Sequence, residues 1–464
     1  MAKYRIGSSL AIPSQADFSR LLDDAYKAHV RPYCLCNGEP GSPMYIACVN
    51  GAFYLKRMPN TGKQHATNCT SWDTPDELSG RADLIGTAIS YDEEKIVIKL
   101  GFPLSKLGQR NMPQNNGERE DEKAEVDASG KKLTFRGLLH FVWQEAGMVK
   151  WDPVAQIRNW GYVHPLLIDA AEHIEVHNAP LAKSLYVPEP FLTFKDAAKT
   201  REYAEKIETR RRERFRSFMP TESNRKMKPL MVVVGELKAV TQNGMGGHQV
   251  TLKHLPDYRF LLDAELFKNI HSNWGTEINM WTTDSKNKRR IILGATCAVL
   301  PEGVAQLERV CLMLVNDQWI PFDTLYQEEL LSKLQAAGRS FTRALRYNHS
   351  KASSSLAAWL NDAGQHPIAL HIVANEEELQ QAIKDTADSP YERWYWNVSE
   401  SLEVPAFPIQ MESPTQDPQL SNPQANNSST GMNLEKGYDN LIQTLPERPH
   451  TTATNDLIYD EGMR

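Results

Sequence analysis

A cluster of cysteines near the N-terminus constrains this chain most. Cys34 and Cys36 are separated by one residue, and His65 and Cys69 follow after a gap of 28 residues. Three thiolates and one imidazole complete the tetrahedral shell that zinc adopts in structural sites. Such a closed site leaves no position for a reacting water molecule. We therefore predict a zinc ion that stabilises a short segment and does not catalyse a reaction.

Two other residues could replace one of these ligands. Cys48 lies between the two halves of the motif, and His29 lies just before it. Because Cys-x-Cys is less specific than paired Cys-x-x-Cys motifs, the ligand set stays open at this point. The alternative to a metal site is a group of reduced, partly buried thiols.

The hydropathy pattern indicates a cytoplasmic protein without membrane association. The first residues lack the apolar core and the cleavage site of a secretory signal. No apolar run approaches the roughly 20 residues that span a bilayer. In such a compartment, clustered cysteines favour metal binding over disulfide bonds.

At 464 residues, the chain is longer than one hydrophobic core usually organises, so we expect an α+β protein of several domains. The alternation of polar and apolar residues in KIVIKLGF, from Lys95, predicts a strand in a β-rich zinc module. The predicted units are the zinc module (1–107), a linker (108–132), a helical module (133–194), a basic helix with its connector (195–228), an α/β domain (229–408) and a disordered acidic tail (409–464).

Two amphipathic stretches in the helical module have the size of a winged-helix pair. Leu133–Ala146 has helical spacing, with Thr134 placed as the N-cap and Gly147 as the end. Trp160–His173 follows after a turn. A helix, a turn and a second helix are typical of DNA-binding domains, so we expect this pair to contact DNA.

The next helix is strongly basic at its C-terminal end. Its arginines are Arg210, Arg211, Arg212, Arg214 and Arg216. Guanidinium groups over two helical turns can bind phosphates with a strong salt dependence, which makes DNA the expected partner. Alternatively, Glu202, Glu205, Glu208 and Glu213 neutralise several arginines within the helix and leave an ordinary solvated surface.

The C-terminal tail carries most of the negative charge of the chain. Residues 409–464 have a net charge of −5, against −6 for the whole chain. With few aromatic residues, this segment cannot recover the entropy of ordering, so we expect disorder. Leu457, Ile458 and Tyr459 could dock a protein partner, which gives a non-enzymatic assembly scaffold as one hypothesis.

The α/β domain alternates β-branched runs with helical patterns around Phe260–Ile270 and Leu325–Ala337. After Phe322, the order of helix, strand and two short apolar runs resembles the restriction-endonuclease-like core. Such nucleases hold Mg²⁺ with an Asp and a Glu-x-Lys on a β-hairpin. The apolar runs Leu356–Leu360 and Ile368–Val373 lack these acids, so we predict a degenerate core.

A Mg²⁺-dependent nuclease remains the alternative from the enzyme class. In that case Glu328, Asp362 and Lys384 would have to come together in space as the catalytic group. The metal would then be Mg²⁺ in addition to the structural zinc.

Short motifs spread over residues 34–408 carry a family resemblance. They include Cys34–Cys36, Leu55–Gly62, His65 with Cys69, Arg136–His140, Arg158–Gly161, Val187–Phe191, Trp319–Pro321 and Leu345–Tyr347. In these motifs the chain resembles a bacterial domain-of-unknown-function family, number eleven seventy-three, carried on plasmids and integrative conjugative elements. The resemblance implies DNA handling but no substrate. It also implies an Asp and a Glu on two late strands, where this chain has Ala358 and Leu370–His371.

The leading hypothesis is therefore a zinc-stabilised, DNA-associated protein of a bacterial mobile element that binds nucleic acid without cutting it.

Overall fold

The computed structural model describes residues 3–13, 15, 17–49, 52–66, 69, 71–73, 80–92, 95–107, 130–153, 158–192, 196–222, 227–243, 247–286, 288–349, 355–364 and 366–410. The predicted linker, apart from its last three residues, and the predicted disordered tail, apart from its first two, lie outside these ranges. Helices and several sheets alternate along the chain, which confirms the mixed α+β class. Within the described ranges, no helix combines the length and the apolar character that crossing a membrane requires.

An antiparallel sheet with the order β2-β1-β3-β4-β5 forms the N-terminal lobe. Its strands are β1 (Tyr4–Ile6), β2 (Ser9–Ala11), β3 (Pro32–Cys34), β4 (Ser42–Val49) and β5 (Ala52–Arg57). Helix α1 (Phe18–Lys27) packs Leu22 and Ala25 against Ile6 and Ala11, in a core separate from the main one. A core this small contributes little stability, so an additional cross-link has a clear role here.

A second sheet joins segments on both sides of the predicted linker. Its strands are β6 (Ile89–Asp92), β7 (Lys95–Ile98), β10 (Ile174–Val176) and β11 (Ala179–Pro180), in the order β11-β10-β7-β6. Strand β7 lies within the predicted Lys95 strand and runs parallel to β10. In addition, β8 (Ser105–Leu107) pairs with β13 (Met227–Pro229). The sequence divides the chain between Leu84 and Trp396 into several predicted modules. In the structure, residues of all these modules belong to one main core.

Helices α2 (Phe135–Glu145) and α3 (Trp160–His173) form where the sequence predicts them. The side chain of Thr134 caps α2 by accepting a hydrogen bond from the Gly137 amide at 3.0 Å. Every residue of α2 except Glu145 is buried, because the helix packs into the main core. The prediction that both helices of this pair contact DNA is therefore wrong for α2, whose side chains cannot reach a groove.

Five long strands close into a barrel. They are β14 (Met231–Gln242), β15 (His248–Leu252), β16 (Leu255–Leu262), β17 (Arg290–Val299) and β18 (Ala305–Val315). The first half of β14 pairs with β17 and its second half with β15, with a bulge between Leu237 and Ala239. The ring continues from β15 to β16, from β16 in parallel to β18, and from β18 back to β17. The short β12 (Leu185–Tyr186) adds in parallel to β14.

Two helices pack on the barrel. Helix α5 (Ala264–Thr282) connects β16 to β17, and β16 extends to Leu262. The prediction of a helix around Phe260–Ile270 is therefore wrong at its start, because Phe260 lies in a strand and is buried inside the barrel. Helix α4 (Ala197–Arg216), the predicted basic helix, packs the Phe215 ring against Tyr258 of β16, with ring centres 4.7 Å apart.

The last sheet has the order β22-β21-β20-β19-β9. Its elements are β9 (Lys150–Trp151), α6 (Leu325–Ala336), β19 (Phe341–Arg343), β20 (Leu356–Leu360), β21 (Ile368–Val373), α7 (Glu376–Asp385) and β22 (Arg393–Asn397). Strands β19, β20 and β21 form an antiparallel meander, and β22 returns parallel to β21 after α7. Along the chain, the elements from α6 onward follow the order helix, three strands, helix and strand. Within the sheet, the hairpin β20–β21 lies between β22 and β19.

Candidate metal centre

Two short segments bring the cysteines and the histidine together. Cys34 is the last residue of β3, and Cys36 follows it in the next turn. A single turn of 3-10 helix, Gly62–Gln64, places His65, and Cys69 follows in a turn closed by its amide donating to the Ala66 carbonyl. Asn37 and Ser42, which follow β3, both donate hydrogen bonds to the Gln64 carbonyl and hold the two segments together, so the four side chains converge.

The distances fit a tetrahedral zinc ion. The sulfur atoms of Cys34 and Cys69 are 3.8 Å apart, and His65 Nδ1 lies 3.5 Å from Cys36 Sγ and 3.7 Å from Cys69 Sγ. All four ligand atoms lie within 4.8 Å of one another. With the usual zinc–sulfur and zinc–nitrogen bond lengths, tetrahedral geometry requires about 3.8 Å between sulfurs and about 3.6 Å between sulfur and nitrogen. The donor set and its spacing can therefore hold a metal ion such as zinc.

Backbone amides support the sulfur atoms. The Ala66 amide donates to Cys36 Sγ at 3.2 Å, and the Ser71 amide donates to Cys69 Sγ at 3.4 Å. The Cys34 thiol donates toward Cys69 and lowers the pKa of Cys69 to about 4, while the pKa of Cys34 is raised by the same contact. A bound divalent cation would stabilise these thiolates together.

The alternative ligands lie outside this cluster. Cys48 is exposed on β4, and His29 is exposed after α1. Among the residues that the structure describes, no other group of three or more His, Cys, Asp or Glu side chains could hold a metal ion.

A buried group of charged residues connects the metal loop to the last sheet. Lys150 of β9 donates a hydrogen bond to the Trp72 carbonyl, and its ammonium group interacts electrostatically with Cys69. Asp73 accepts from Arg57 of β5 at 2.9 Å. Burial by itself would raise the pKa of Asp73, but Arg57, Lys150 and Arg81 lower it to about 2. A zinc ion with three thiolates keeps one negative charge, which the nearby cations balance.

The three catalytic candidates lie apart from one another in their contacts. Glu328 accepts from Arg289 Nε at 2.8 Å, and Asp362 accepts from Arg339 Nε at 3.0 Å. Lys384 is exposed on the last turn of α7. Within the described ranges, none of the three bonds to another or belongs to a group that could hold a metal ion. The structure therefore does not bring them together as a catalytic group.

The hairpin β20–β21 carries no acid at its centre. Ala358 and Leu370 pair with each other and are buried. His371 is buried as well, and its Nδ1 lies 2.9 Å from Ser355 Oγ. Burial and the nearby Arg393 lower the pKa of His371 to about 4, so the ring is neutral.

The arginines of α4 fall into two groups. Arg214 is half-buried and donates to the carbonyls of Ala182 and Leu185 at 2.6 and 2.7 Å, so it fixes the helix to the core. Arg211 is also half-buried, 3.9 Å from Glu208. The other three are exposed, and Arg212 pairs with Glu208. They are Arg210, Arg212 and Arg216.

Sequence reasoning missed the residues that surround these sites. Asp323 of the loop before α6 accepts from Arg346 at 2.8 Å and from Arg343 at 3.1 Å, and its side chain is partly buried. Asp73 and Lys150 are likewise partners from distant segments. No local pattern marks such residues, because each is an ordinary charged side chain until its partner packs beside it.

A family model described as a protein of unknown function, DUF1173, matches residues 4–399. No curated protein and no solved structure matches the chain. The match covers the N-terminal lobe with the cysteine cluster, the barrel and the last sheet. The chain therefore belongs to the DUF1173 family.

Proposed function

We propose that this protein binds DNA without cutting it, that zinc stabilises its N-terminal lobe, and that it serves a bacterial mobile element. The observation that carries the proposal is the strand order of the barrel.

The barrel has the connectivity of the OB-fold. Numbered from its first strand, the ring order is 1-2-3-5-4-1, the third and fifth strands are parallel, and a helix lies between the third and fourth strands. Barrels of this class bind oligonucleotides or oligosaccharides on the face of strands 2 and 3. Here those strands are β15 and β16.

Exposed cations lie on a helix that is fixed to the same barrel. Phe215 and the Arg214 hydrogen bonds anchor the C-terminal end of α4. This anchoring leaves Arg210, Arg212 and Arg216 in solvent. A phosphate backbone near these guanidinium groups would release condensed counterions, which favours nucleic acid over a neutral sugar chain.

The state of the last sheet supports binding over cleavage. Its order of helix, three strands, helix and strand is consistent with the degenerate nuclease core that we expect from the sequence. However, Ala358 and Leu370 stand where the metal-binding acids of that core are expected. Without a carboxylate on either paired strand of the hairpin, a Mg²⁺ ion has no acidic ligand there.

The test is a titration of fluorescent DNA with the full chain at 50 and 200 mM salt. We expect affinity to fall as salt rises, and we expect the R210Q/R212Q/R216Q variant to reduce the slope of log K against log salt by about 2 to 3. The control replaces Arg20, Lys99 and Lys333, three exposed cations elsewhere, with Gln and should keep the wild-type slope. Absent or salt-insensitive binding, or binding of a neutral oligosaccharide instead, would contradict the proposal.

A further inference from the structure

A stack of rings reaches the surface at the end of the barrel. His254 lies in the turn between β15 and β16, and its ring stacks on Trp160 at 5.0 Å with an angle of 9°. Trp160 in turn packs on the buried Trp319 at 5.3 Å. On the outer side, Phe191 lies 5.7 Å from His254 and is 62% exposed. The stack therefore ends in a large aromatic ring that faces solvent.

Hydrogen bonds hold the inner rings of this stack in place. Trp160 Nε1 donates to the Pro188 carbonyl at 2.7 Å, and Trp319 Nε1 donates to the Arg158 carbonyl at 3.2 Å. These contacts connect the motifs Arg158–Gly161, Val187–Phe191 and Trp319–Pro321. A ring on such a fixed support loses little conformational entropy when it stacks on a ligand.

Two cations lie beside the inner rings of this stack, with Arg290 over the Trp319 ring at 4.9 Å. Lys253 and Arg290 share one buried carboxylate, Glu236, at 2.9 and 3.1 Å. Two cations on one carboxylate leave a net positive charge beside the ring stack. Burial, with Lys253 and Arg290 nearby, lowers the pKa of His254 to about 3, so its ring is neutral and suited to stacking.

The outer face of β15 and β16 carries exposed and half-exposed side chains. Thr241, Gln249 and Leu261 form a row across three paired strands, and their side chains are exposed or half-exposed. Arg259 is exposed two residues before Leu261, and Asp257 is the one acid beside it on β16. Such a surface gives room for a backbone and adds a cation along the strand.

We propose that Phe191 and the adjoining β15–β16 face bind single-stranded nucleic acid, with one base stacked on Phe191 and phosphates near Lys253 and Arg259. This inference rests on the proposed nucleic-acid function and names its ligand class. A single strand is required because the bases of a duplex are already stacked on each other and present no open ring face. Aromatic platforms beside cations are the usual means of holding single strands.

The experiment compares full-length wild type with F191A by fluorescence anisotropy on three probes: a 15-nucleotide oligo(dT), the matching oligo(rU) and a duplex of equal length. We expect F191A to weaken single-strand binding about 5- to 100-fold and to change duplex binding less than twofold. F191W should restore the affinity, and F191L should not. The ratio of the dT and rU affinities tells DNA from RNA.

L402A is the matched control, because Leu402 is an apolar side chain that is 73% exposed and lies far along the chain from the ring stack. Thermal melting should be the same for F191A and wild type, since the ring buries little. If F191A binds single strands within twofold of wild type, or weakens duplex binding equally, this inference fails while the proposed function stands. If wild type binds neither form, both fail.

Discussion

Ala358 of β20 pairs with Leu370 of β21, and both side chains are 0% exposed at the centre of the last sheet. In a metal-dependent nuclease core, acidic side chains would occupy this hairpin and hold the ion. A carboxylate at either position would be buried among apolar neighbours and would lose its hydration without compensation. These two positions of the hairpin therefore serve packing in the interior of the sheet.

We predict that Asp362→Asn and Glu328→Gln each reduce the free energy of unfolding. We also expect that neither substitution affects DNA cleavage. Asp362 accepts three hydrogen bonds from the buried Arg339, so its loss should reduce the free energy of unfolding by about 3 kcal/mol. Glu328 and Arg289 are both more exposed, so about 1 kcal/mol is expected there. Urea unfolding measures both values. A Mg²⁺-dependent cleavage of DNA by wild type that either variant abolishes would contradict the structural role.

The metal centre predicts about one zinc ion per chain. Cys69→Ser removes a sulfur that lies 3.8 Å from Cys34 Sγ and 3.7 Å from His65 Nδ1, distances that suit ligands of one zinc ion. The purified variant should therefore contain little zinc. Cys48→Ser is the matched control, because Cys48 is an exposed cysteine of the same lobe outside the cluster. Elemental analysis of the two variants and wild type checks the stoichiometry. Equal zinc content in all three would remove Cys69 from the ligand set.

Local features of the sequence could predict part of this fold. Helix α2 is specified within one stretch, because the Thr134 cap, the apolar spacing and Gly147 with φ of 78° all lie inside it. The candidate metal ligands can also be identified from short sequence motifs, because closely spaced cysteine and histidine side chains have few other structural roles. These parts of the fold needed no knowledge of distant segments.

The closure of the barrel could not be predicted in the same way. The pairing of β16 with β18 is parallel and joins Phe260 to Ala305, two residues separated by a helix and a strand. Alternation along each strand indicates a buried face but does not indicate the partner strand. For the same reason, the sequence groups Arg214 with the predicted phosphate-binding arginines. Its hydrogen-bond acceptors are carbonyls of another segment, which no local pattern indicates. Non-local contacts decide both features.

The partly buried carboxylate of Asp323 predicts a specific loss of stability in acid. Burial by itself would raise its pKa, but Arg346 and Arg343 keep the pKa of Asp323 well below its ordinary value in the folded state. The unfolded chain therefore binds this proton near pH 4, before the folded chain does, and stability falls as the pH drops below about 5. Asp323→Asn should be less stable than wild type by about 3 kcal/mol at pH 7, and the difference should shrink toward pH 3.

Urea unfolding of both proteins between pH 7 and pH 3 checks this prediction. Acid also weakens metal binding by thiolates, but both proteins share that effect, so the difference between them isolates Asp323. A difference that stays constant over this range would mean that the folded pKa of Asp323 is not depressed.

Replacing either of two glycines with alanine should have opposite effects on the free energy of unfolding. A β-carbon at Gly62, in the turn that places His65, would lie 2.3 Å from the β-carbon of Asp73, whereas one at Gly275 in α5 would meet nothing within 4 Å. Gly62→Ala should therefore displace the metal loop and reduce the free energy of unfolding by about 2 kcal/mol. Gly275→Ala should raise it by up to about 1 kcal/mol, because alanine has the higher helix propensity. Urea unfolding of the zinc-loaded variants gives both signs, and a stabilising Gly62→Ala would show that the turn and Asp73 are not in contact.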